Sequence, residues 1–286
     1  MAEPGEHGGV NPYLIEGPAL ISFSGGRTSA YMLHQIIQAH GGGLPDNVVV
    51  AFANTGKERE ETLRFVHECG SRWGVKIHWL ELLKRSGPAA ERYEEVGFNS
   101  ASRNGEPFAR LIAAKQFKPN GVMRFCTEEL KVKTIEAFLV NRFGWTTWSN
   151  VIGLRFDEGH RLLKSYAKND EAKSPWRNVH PMDKARVTKA DIMAFWSKQP
   201  FDLSIRPYES NCDLCFLKGR GILKVTIREN PGVADWWIEQ ERIAKGSFNK
   251  EWTYAELVRE VESQPHLFDE IDADYEADVE CGLVCQ

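Results

Sequence analysis

Residues 19–29 read ALISFSGGRTS, and this stretch decides the fold. Its apolar beginning, residues 19–23, predicts a buried strand, and Gly25 and Gly26 predict a tight turn. A helix is expected over 29–39, because its apolar residues recur at helical spacing and fall on one face. They are Met32, Leu33, Ile36 and Ile37, and the three glycines at 41–43 end the helix.

The alternation of short apolar runs and longer periodic segments continues to about residue 155. Further strands are predicted at 48–52, 77–82 and 150–154, and helices at 55–73, 107–116 and 128–143. This order is typical of an α/β fold, a Rossmann-like parallel sheet with helices on both faces. Parallel sheets bind ligands at the carboxyl ends of their strands, so we expect a site in the loops after Phe23, Phe52 and Leu154.

The second half of the chain is predominantly helical. Thr188, followed three residues later by Asp191, predicts a helix start with an approximate capping box, and further helices are predicted at 219–229, 232–244 and 253–262. We predict four parts: an N-terminal extension (1–18), an α/β domain (19–200), a helical region that carries Cys212 and Cys215 (201–268), and an acidic tail (269–286).

The composition excludes several classes of protein. Of the 286 residues, 42% are hydrophobic and 27% charged, as in globular proteins, which argues against disorder or a fibre. No run of about 18 apolar residues predicts a membrane span, and the amino-terminal residues lack the basic start and apolar core of a secretory signal. Six cysteines are too few for a disulfide scaffold and fit thiols, metal ligands or redox groups. We therefore expect a cytoplasmic protein.

The net charge of −4 is unevenly distributed along the chain. The tail after residue 268 holds seven acids and no Lys or Arg, which leaves a body of 36 bases against 33 acids. Such a body suits an anionic substrate, and the tail can lie over it when no substrate is bound. A solvated face with a mobile tail is the alternative interpretation.

The glycine turn has the features of an anion site. Two glycines let successive backbone N–H groups point at one anion, and the N-terminus of the following helix adds partial positive charge. Ser24, Thr28 and Ser29 add hydroxyls, and Arg27 adds a guanidinium. The turn lacks the Gly-Lys-Ser/Thr ending of a Walker A loop, and an ordinary strand-to-helix corner is the alternative interpretation.

Six segments between residues 19 and 285 resemble, in order, the phosphoadenosine phosphosulfate (PAPS) reductase family of the PP-loop, or adenine nucleotide α-hydrolase-like, superfamily. They are the glycine turn, Asn54-Thr55-Gly56-Lys57, Arg124-Phe125-Cys126-Thr127 with Lys131, Gly153-Leu154-Arg155, Cys212-Asp213-Leu214-Cys215, and Glu280-Cys281-Gly282-Leu283. The resemblance implies ten nucleotide-binding residues: Ser24, Gly25, Gly26, Arg27, Thr28, Ser29, Asn54, Thr55, Gly56 and Lys57. It also implies a substrate sulfate that faces Arg124, Lys131 and Arg155, with Cys281 as the nucleophile.

The cysteines suggest a metal site. From the residues alone, Cys212 and Cys215 can be aimed at one metal or at each other, and Cys126 lies beside Arg124 at a predicted helix start. The resemblance implies that Cys126, Cys212 and Cys215 share a 4Fe–4S cluster, with zinc as the alternative.

This sequence also departs from the family pattern in two places. The doubled cysteine of adenylylsulfate reductases is Phe125-Cys126 here, so one ligand is missing. Thr28 stands where ATP-cleaving members carry an aspartate that helps to orient a metal-bound pyrophosphate. ATP cleavage is therefore less secure than nucleotide binding.

These observations lead to one hypothesis and two alternatives. The hypothesis is a PAPS reductase-like oxidoreductase that reduces an adenine sulfonucleotide, adenylylsulfate or its 3′-phosphorylated form, to sulfite and adenosine phosphate, with a thioredoxin-like reductant. The first alternative is an ATP pyrophosphatase that uses Mg²⁺ and the cysteine metal site to insert sulfur into nucleic acid, as in DNA phosphorothioation or tRNA thiolation. The basic stretch 103–142 permits such a partner. The second alternative is a non-catalytic nucleotide-binding subunit, and an oligomer is compatible with this sequence.

Overall fold

The computed structural model describes residues 11–206 and 208–263, and a six-stranded sheet forms its centre. The strands are β1 (Ala19–Ser22), β2 (Val48–Asn54), β3 (Ile77–Leu82), β4 (Tyr93–Val96), β5 (Trp148–Ile152) and β6 (Trp176–Val179). Their order across the sheet is β4-β3-β2-β1-β5-β6, and every neighbouring pair is parallel except the antiparallel pair β3 and β4. The central strand β1 therefore ends between β2 and β5, which places three strand-end loops side by side.

Helices connect and extend these strands. They are α1 (Arg27–Ala39), α2 (Glu60–Arg72), α3 (Glu106–Lys115), α4 (Lys133–Phe143), α5 (Gly159–Glu171), α6 (Pro181–Lys184), α7 (Lys189–Trp196), α8 (Arg220–Glu229), α9 (Asp235–Ile243) and α10 (Tyr254–Ser263). A short 3₁₀ helix covers Ala89–Glu91, and a π-helix covers Thr127–Val132 directly before α4. Within the described residues, no helix combines the length and the apolar character needed to cross a membrane.

Both faces of the sheet are covered, as the strand pattern requires. Successive strand side chains point to opposite faces, so Ile21 and Phe52 pack in one apolar cluster while Leu20 and Ala51 pack in another. The first cluster includes Met32 of α1 and Leu63 of α2, and the second includes Phe138 of α4. The predicted class, a Rossmann-like parallel sheet with helices on both faces, is confirmed.

The C-terminal helices form a third apolar cluster against α3. Its buried members include residues of α3, α8, α9 and α10: Phe108, Leu111, Leu223, Trp237, Tyr254 and Leu257. Cys126 packs against this cluster, and Cys215 lies close to Tyr254. The predicted helical, cysteine-bearing region after the α/β domain is thus observed as far as Ser263.

The structure differs from the sequence prediction at several elements, including two strands and the starts of two helices. Strands β4 and β6 were not predicted, because each has only four residues and mixes polar with apolar side chains. Helix α2 begins at Glu60 rather than at residue 55, because the Glu58 carboxylate accepts hydrogen bonds from both the N–H and the hydroxyl of Thr55 and holds a tight turn. The helix predicted over 128–143 begins with the π-turn of Thr127–Val132.

Candidate functional site

The glycine turn joins the end of β1 to the start of α1. Gly25 has φ +79°, and a Cβ atom there would lie 2.9 Å from Thr62 Cγ2, so this position requires glycine. Gly26 precedes the first helical residue and has no side-chain cap, so the first N–H groups of α1 face the turn. No acidic residue lies in the first turn of α1. The local structure is therefore that of an anion-binding corner.

The side chains of the turn mostly bond to one another. Ser24 Oγ donates to Ser29 Oγ at 3.0 Å, and Ser29 Oγ lies 3.0 Å from the Gly26 carbonyl oxygen. The Arg27 guanidinium makes two hydrogen bonds of 2.7 Å to Asp202. Burial alone would raise the pKa of Asp202, but the hydrogen bonds from Arg27 outweigh it and hold that pKa below its usual value. Arg27 thus binds Asp202 with its side chain and contributes its backbone N–H to the turn.

Arg155 reaches the turn from the loop after β5. Its Nη1 lies 3.5 Å from Thr28 Oγ1, and its Nε donates to Asp157 Oδ1 at 2.9 Å. Its backbone N–H donates to Glu158 Oε2 at 2.9 Å, and the residue is only 3% exposed. The loops after β1 and β5 therefore meet, as parallel strand ends should, with Arg155 at their junction.

Residues 54–59, the last residue of β2 and the segment after it, are held by polar contacts inside the protein. Asn54 donates from Nδ2 to Glu81 Oε1 at 2.6 Å and accepts from the Gly56 N–H at 3.1 Å. Gly56 has φ +79° and accepts from the Gly105 N–H at 2.9 Å, and a Cβ on Gly56 would lie 3.0 Å from Gly105 Cα. Lys57 Nζ lies 2.7 Å from Asp213 Oδ2. Specific hydrogen bonds and an ion pair hold this segment in place.

The three predicted metal ligands line one small cavity. Cys126, Cys212 and Cys215 surround it together with Lys131 and Thr55, and its volume is about 20 Å³. That volume is about the size of one water molecule. Lys131 Nζ lies 3.6 Å from the buried Glu58 Oε1, which places an ammonium beside the thiols.

The chemistry of this donor set suits iron or zinc, because soft thiolates are the ligands that both metals take in proteins. The side chains of residues 11–206 and 208–263, as placed, do not include a group of three or more His, Cys, Asp or Glu that could hold one ion. The cysteines therefore fit a metal by type and by shared location.

Cys126 directly precedes the π-turn and Lys131 lies within it, and both residues line the cavity. Two sets of contacts hold this turn in place. Thr134 Oγ1 donates to the Glu129 carbonyl oxygen, five residues back, at 2.9 Å. The Glu129 carboxylate is buried, and Arg85, Lys115 and Lys133 lie within 3.4 Å of its Oε1. Burial alone would raise the pKa of Glu129, but these cations outweigh it and hold that pKa low.

The remaining predicted residues have clear places. Arg124 lies two residues before Cys126, and its carbonyl accepts from the Thr127 N–H at 3.1 Å. Cys281 and the acidic tail lie outside the described residues. Cys69 is buried in α2, where burial raises the pKa of its thiol.

Sequence reasoning missed the residues that join these parts. Asn211 Nδ2 donates to the Ser24 carbonyl oxygen at 2.7 Å, and Asp213 binds Lys57. Asp202 and Glu81 hold Arg27 and Asn54. The position of Asp213 between two cysteines was an available signal, whereas Asp202, Asn211 and Glu81 carry none that a single sequence reveals.

This chain is similar in sequence to two proteins of other organisms. The chain is 30% identical over 223 residues to the uncharacterized nin region protein ORF290 of Escherichia phage lambda. The matched residues make up 75% of this chain and 71% of that protein. It is 23% identical over 245 residues to the uncharacterized protein MJ0066 of Methanocaldococcus jannaschii, covering 83% of this chain and 45% of that longer protein.

Among solved structures, the U34-tRNA thiolase NcsA of Methanococcus maripaludis with its 4Fe–4S cluster matches at 16% identity and a TM-score of 0.38. That match covers 94% of this chain and 80% of NcsA, and similarity at this level implies nothing about the reaction. Residues 18–198, more than half of the chain, match the family described as the phosphoadenosine phosphosulfate reductase domain. The predicted resemblance is therefore confirmed, and this protein belongs to the phosphoadenosine phosphosulfate reductase domain family.

Proposed function

We propose that this chain is a PAPS reductase-like enzyme, which binds an adenine sulfonucleotide at the strand ends and reduces it to sulfite and an adenosine phosphate. The observation that carries the proposal is the meeting of the glycine turn with the loop that bears Cys212 and Cys215. Asn211 Nδ2 bonds to the Ser24 carbonyl oxygen at 2.7 Å, and the Asp213 N–H bonds to the Lys57 carbonyl oxygen at 2.9 Å. These hydrogen bonds join the anion-binding corner to the loop that lines the thiol cavity, which supports a single site for the nucleotide and the thiols.

The nucleotide would bind through backbone groups more than through charged side chains. The N–H groups at the start of α1, with the hydroxyls of Ser24 and Ser29, would receive its phosphate. Residues 54–56 would contact the rest of the nucleotide. The sulfo group would face Arg124, Lys131 and Arg155, because Arg155 reaches the turn and Lys131 lines the thiol cavity.

The proposed reaction has three displacements. The Cys281 thiolate attacks the sulfur of the sulfo group, an S–S bond forms, and the S–O bond to the nucleotide phosphate breaks with its electron pair on oxygen. Arg155 and Lys131 would stabilise the charge that develops on that leaving oxygen. A thiolate of a thioredoxin-like dithiol then attacks the Cys281 sulfur and releases sulfite. The second thiol of the donor closes the donor's own disulfide and regenerates Cys281.

Cys126, Cys212 and Cys215 would hold the proposed 4Fe–4S cluster, or zinc in its place. When bound, the group would link the segments that carry the three cysteines and would offer a Lewis-acidic metal ion at the cavity. Lys131 lines the same cavity and is kept beside the thiols by Glu58. The long-range attraction between a basic body and an acidic tail would bring Cys281 to this cavity, and salt would weaken it.

The decisive experiment uses the full chain, purified without oxygen, with adenylylsulfate or PAPS and reduced thioredoxin. With the dithiol present, we expect sulfite release. When the dithiol is omitted, we expect a sulfo adduct on Cys281. Cys281→Ser should eliminate both while leaving nucleotide binding intact. Cys285→Ser, which removes the other cysteine of the tail, is the matched control. It should reduce sulfite release less than Cys281→Ser, because an external thiol can replace Cys285 in resolving the adduct on Cys281. Full activity in Cys281→Ser, without an adduct in the parent chain, would exclude this reaction.

One observation favours the sulfur-insertion alternative. Three cysteines other than Cys281, namely Cys126, Cys212 and Cys215, line one cavity, and they are the thiols that the sulfur-insertion alternative uses. In that case the chain should release pyrophosphate from ATP with Mg²⁺, and Cys281→Ser should leave that release unchanged. Sulfite formation and pyrophosphate release, measured on the same preparation, separate the two reactions.

A further inference from the structure

We propose that Lys57 and Asp213 act as a positioning pair that fixes the cysteine loop, residues 211–215, against the segment after β2, and that the Lys57 side chain is not a phosphate ligand. The inference rests on the proposed thiol site but not on the reaction that occurs there. It gives a role to Asp213, which lies between Cys212 and Cys215, and changes the role expected for Lys57.

The side chains of the pair are closely held. Lys57 Nζ lies 2.7 Å from Asp213 Oδ2, with the two side chains 8% and 16% exposed. The other carboxylate oxygen, Oδ1, accepts from the Leu214 N–H at 2.6 Å and from Trp237 Nε1 at 3.0 Å. The Lys57 ammonium also lies 5.2 Å from the ring centre of Trp236. Each group of the pair therefore has defined partners in addition to the other.

The backbones of the two segments are joined as well. The Arg59 N–H donates to the Asn211 carbonyl at 2.7 Å, and the Asp213 N–H donates to the Lys57 carbonyl at 2.9 Å. Glu58 and Cys212 face each other in an isolated antiparallel bridge. Residues 57–59 and 211–213 thus form a short two-stranded contact, with the ion pair at one end and Cys212 in its centre.

The location of Lys57 argues for this role over phosphate binding. Its ammonium is engaged by a carboxylate at 2.7 Å and covered by an indole, so a phosphate would have to displace both. A buried ion pair that loses one member leaves an uncompensated charge, whereas replacement of both members by apolar groups is often tolerated. The single and double variants should therefore behave in opposite ways.

The test compares Lys57→Met, Asp213→Asn and the double variant Lys57→Met/Asp213→Asn in the full chain, because Asn removes the charge and keeps Oδ1 as the acceptor for the Leu214 N–H and Trp237 Nε1. Amide hydrogen exchange, followed by mass spectrometry, reports on residues 57–59 and 211–215 without requiring metal or substrate. Each single variant should raise exchange in both segments at least about tenfold, and the double variant should restore most of the protection. Glu94→Gln, which breaks the exposed Arg110–Glu94 pair between α3 and β4, is the matched control and should leave both segments unchanged.

Two further measurements make the positioning role specific. Cobalt(II), added as a probe metal, should give a thiolate charge-transfer band that weakens in both single variants and returns in the double variant. Calorimetric affinity for AMP should stay within about threefold of the parent in every variant that folds, because the charge of Lys57 is directed at Asp213.

The outcomes separate this proposal from the proposed function. Unchanged exchange at 211–215 in Asp213→Asn would overturn it, as would a loss of AMP affinity confined to the variants that lack Lys57. Failure of the double variant to restore protection would show that the two residues do not act as a pair. A failed sulfite assay with positive exchange results would reject the reductase reaction and leave the pair standing.

Discussion

Asn211 donates a side-chain hydrogen bond to the backbone carbonyl of Ser24, over 2.7 Å, and thereby ties the cysteine loop to the glycine turn. The turn begins α1 near the amino end of the chain, and Asn211 lies in the segment before α8. A carbonyl fixed in this way holds the peptide between Ser24 and Gly25 in one orientation, so the turn and the cysteine loop are expected to shift together. Four predictions follow from this and from neighbouring contacts.

Gly26→Asp should remove nucleotide binding without unfolding the protein. A Cβ at Gly26 would have no heavy atom closer than 3.7 Å, so the side chain can be accommodated. A carboxylate at the N-terminus of α1 occupies the place of the phosphate and repels it, so affinity for adenine nucleotide should fall at least about tenfold. Calorimetry measures the affinity, and Gly26→Ala should retain it. Equal affinity in the Asp and Ala variants would contradict an anion site at this turn.

Thr134→Val should destabilise the protein through the π-turn. Thr134 is fully buried, and its hydroxyl donates to the Glu129 carbonyl at 2.9 Å. Removal of that donor leaves a buried carbonyl without this bond, and the free energy of unfolding should fall by about 1–3 kcal/mol in urea denaturation. Thr226→Val in α8 is the control, because the Thr226 hydroxyl bonds to the Ile222 carbonyl four residues back, as in an ordinary α-helix. It should cost less, since such a bond adds little to an intact helix.

The stability of the protein should fall in mild acid because of His180. This residue is 1% exposed, and burial lowers the pKa of its imidazole from 6.5 to about 4. Between these two values the unfolded chain binds a proton that the folded chain does not, so stability rises with pH across that window. The contribution is fully present above pH 6.5 and is lost as pH falls towards 4, by at most about 3 kcal/mol.

Urea denaturation across that pH range measures this contribution in the parent chain and in His180→Gln. The variant should show a shallower decline of unfolding free energy with falling pH. His160→Gln, at an exposed position of α5, is the control and should follow the parent chain. Parallel curves for the parent chain and His180→Gln would show that another group dominates acid sensitivity.

Each of the single variants Cys126→Ser, Cys212→Ser and Cys215→Ser should lose bound iron or zinc, because the three residues line one cavity. A thiolate site that loses one ligand binds its metal much more weakly. Elemental analysis of anaerobically purified protein, with an absorption spectrum, gives the metal content. Cys69→Ala is the control, since Cys69 lies in the core of α2 and should not alter the content. Full metal in all three Ser variants would place the site elsewhere.

The sequence alone determined the centre of the fold. The predicted strand at 77–82 has the observed bounds of β3, and the capping box predicted at Thr188 and Asp191 forms at the start of α7. These elements are local: an apolar run long enough to be a buried strand, or a cap that needs only neighbouring residues, specifies its own structure. The glycine turn is of the same kind, because the positive φ of Gly25 is a property of that residue type.

Tertiary structure decided how the charged residues are used. Arg27 and Lys57 were predicted to bind nucleotide, yet their side chains bind Asp202 and Asp213. Strand β4 exists because β3 offers it an antiparallel partner, and the π-turn at Thr127–Val132 is held by the Thr134 hydroxyl and by three cations around Glu129. For Arg27 and Lys57 the physical reason is the burial of their charge. A pattern of neighbours fixes backbone conformation, but a buried charge takes the partner that the folded chain brings within hydrogen-bond distance, and that partner is distant in sequence.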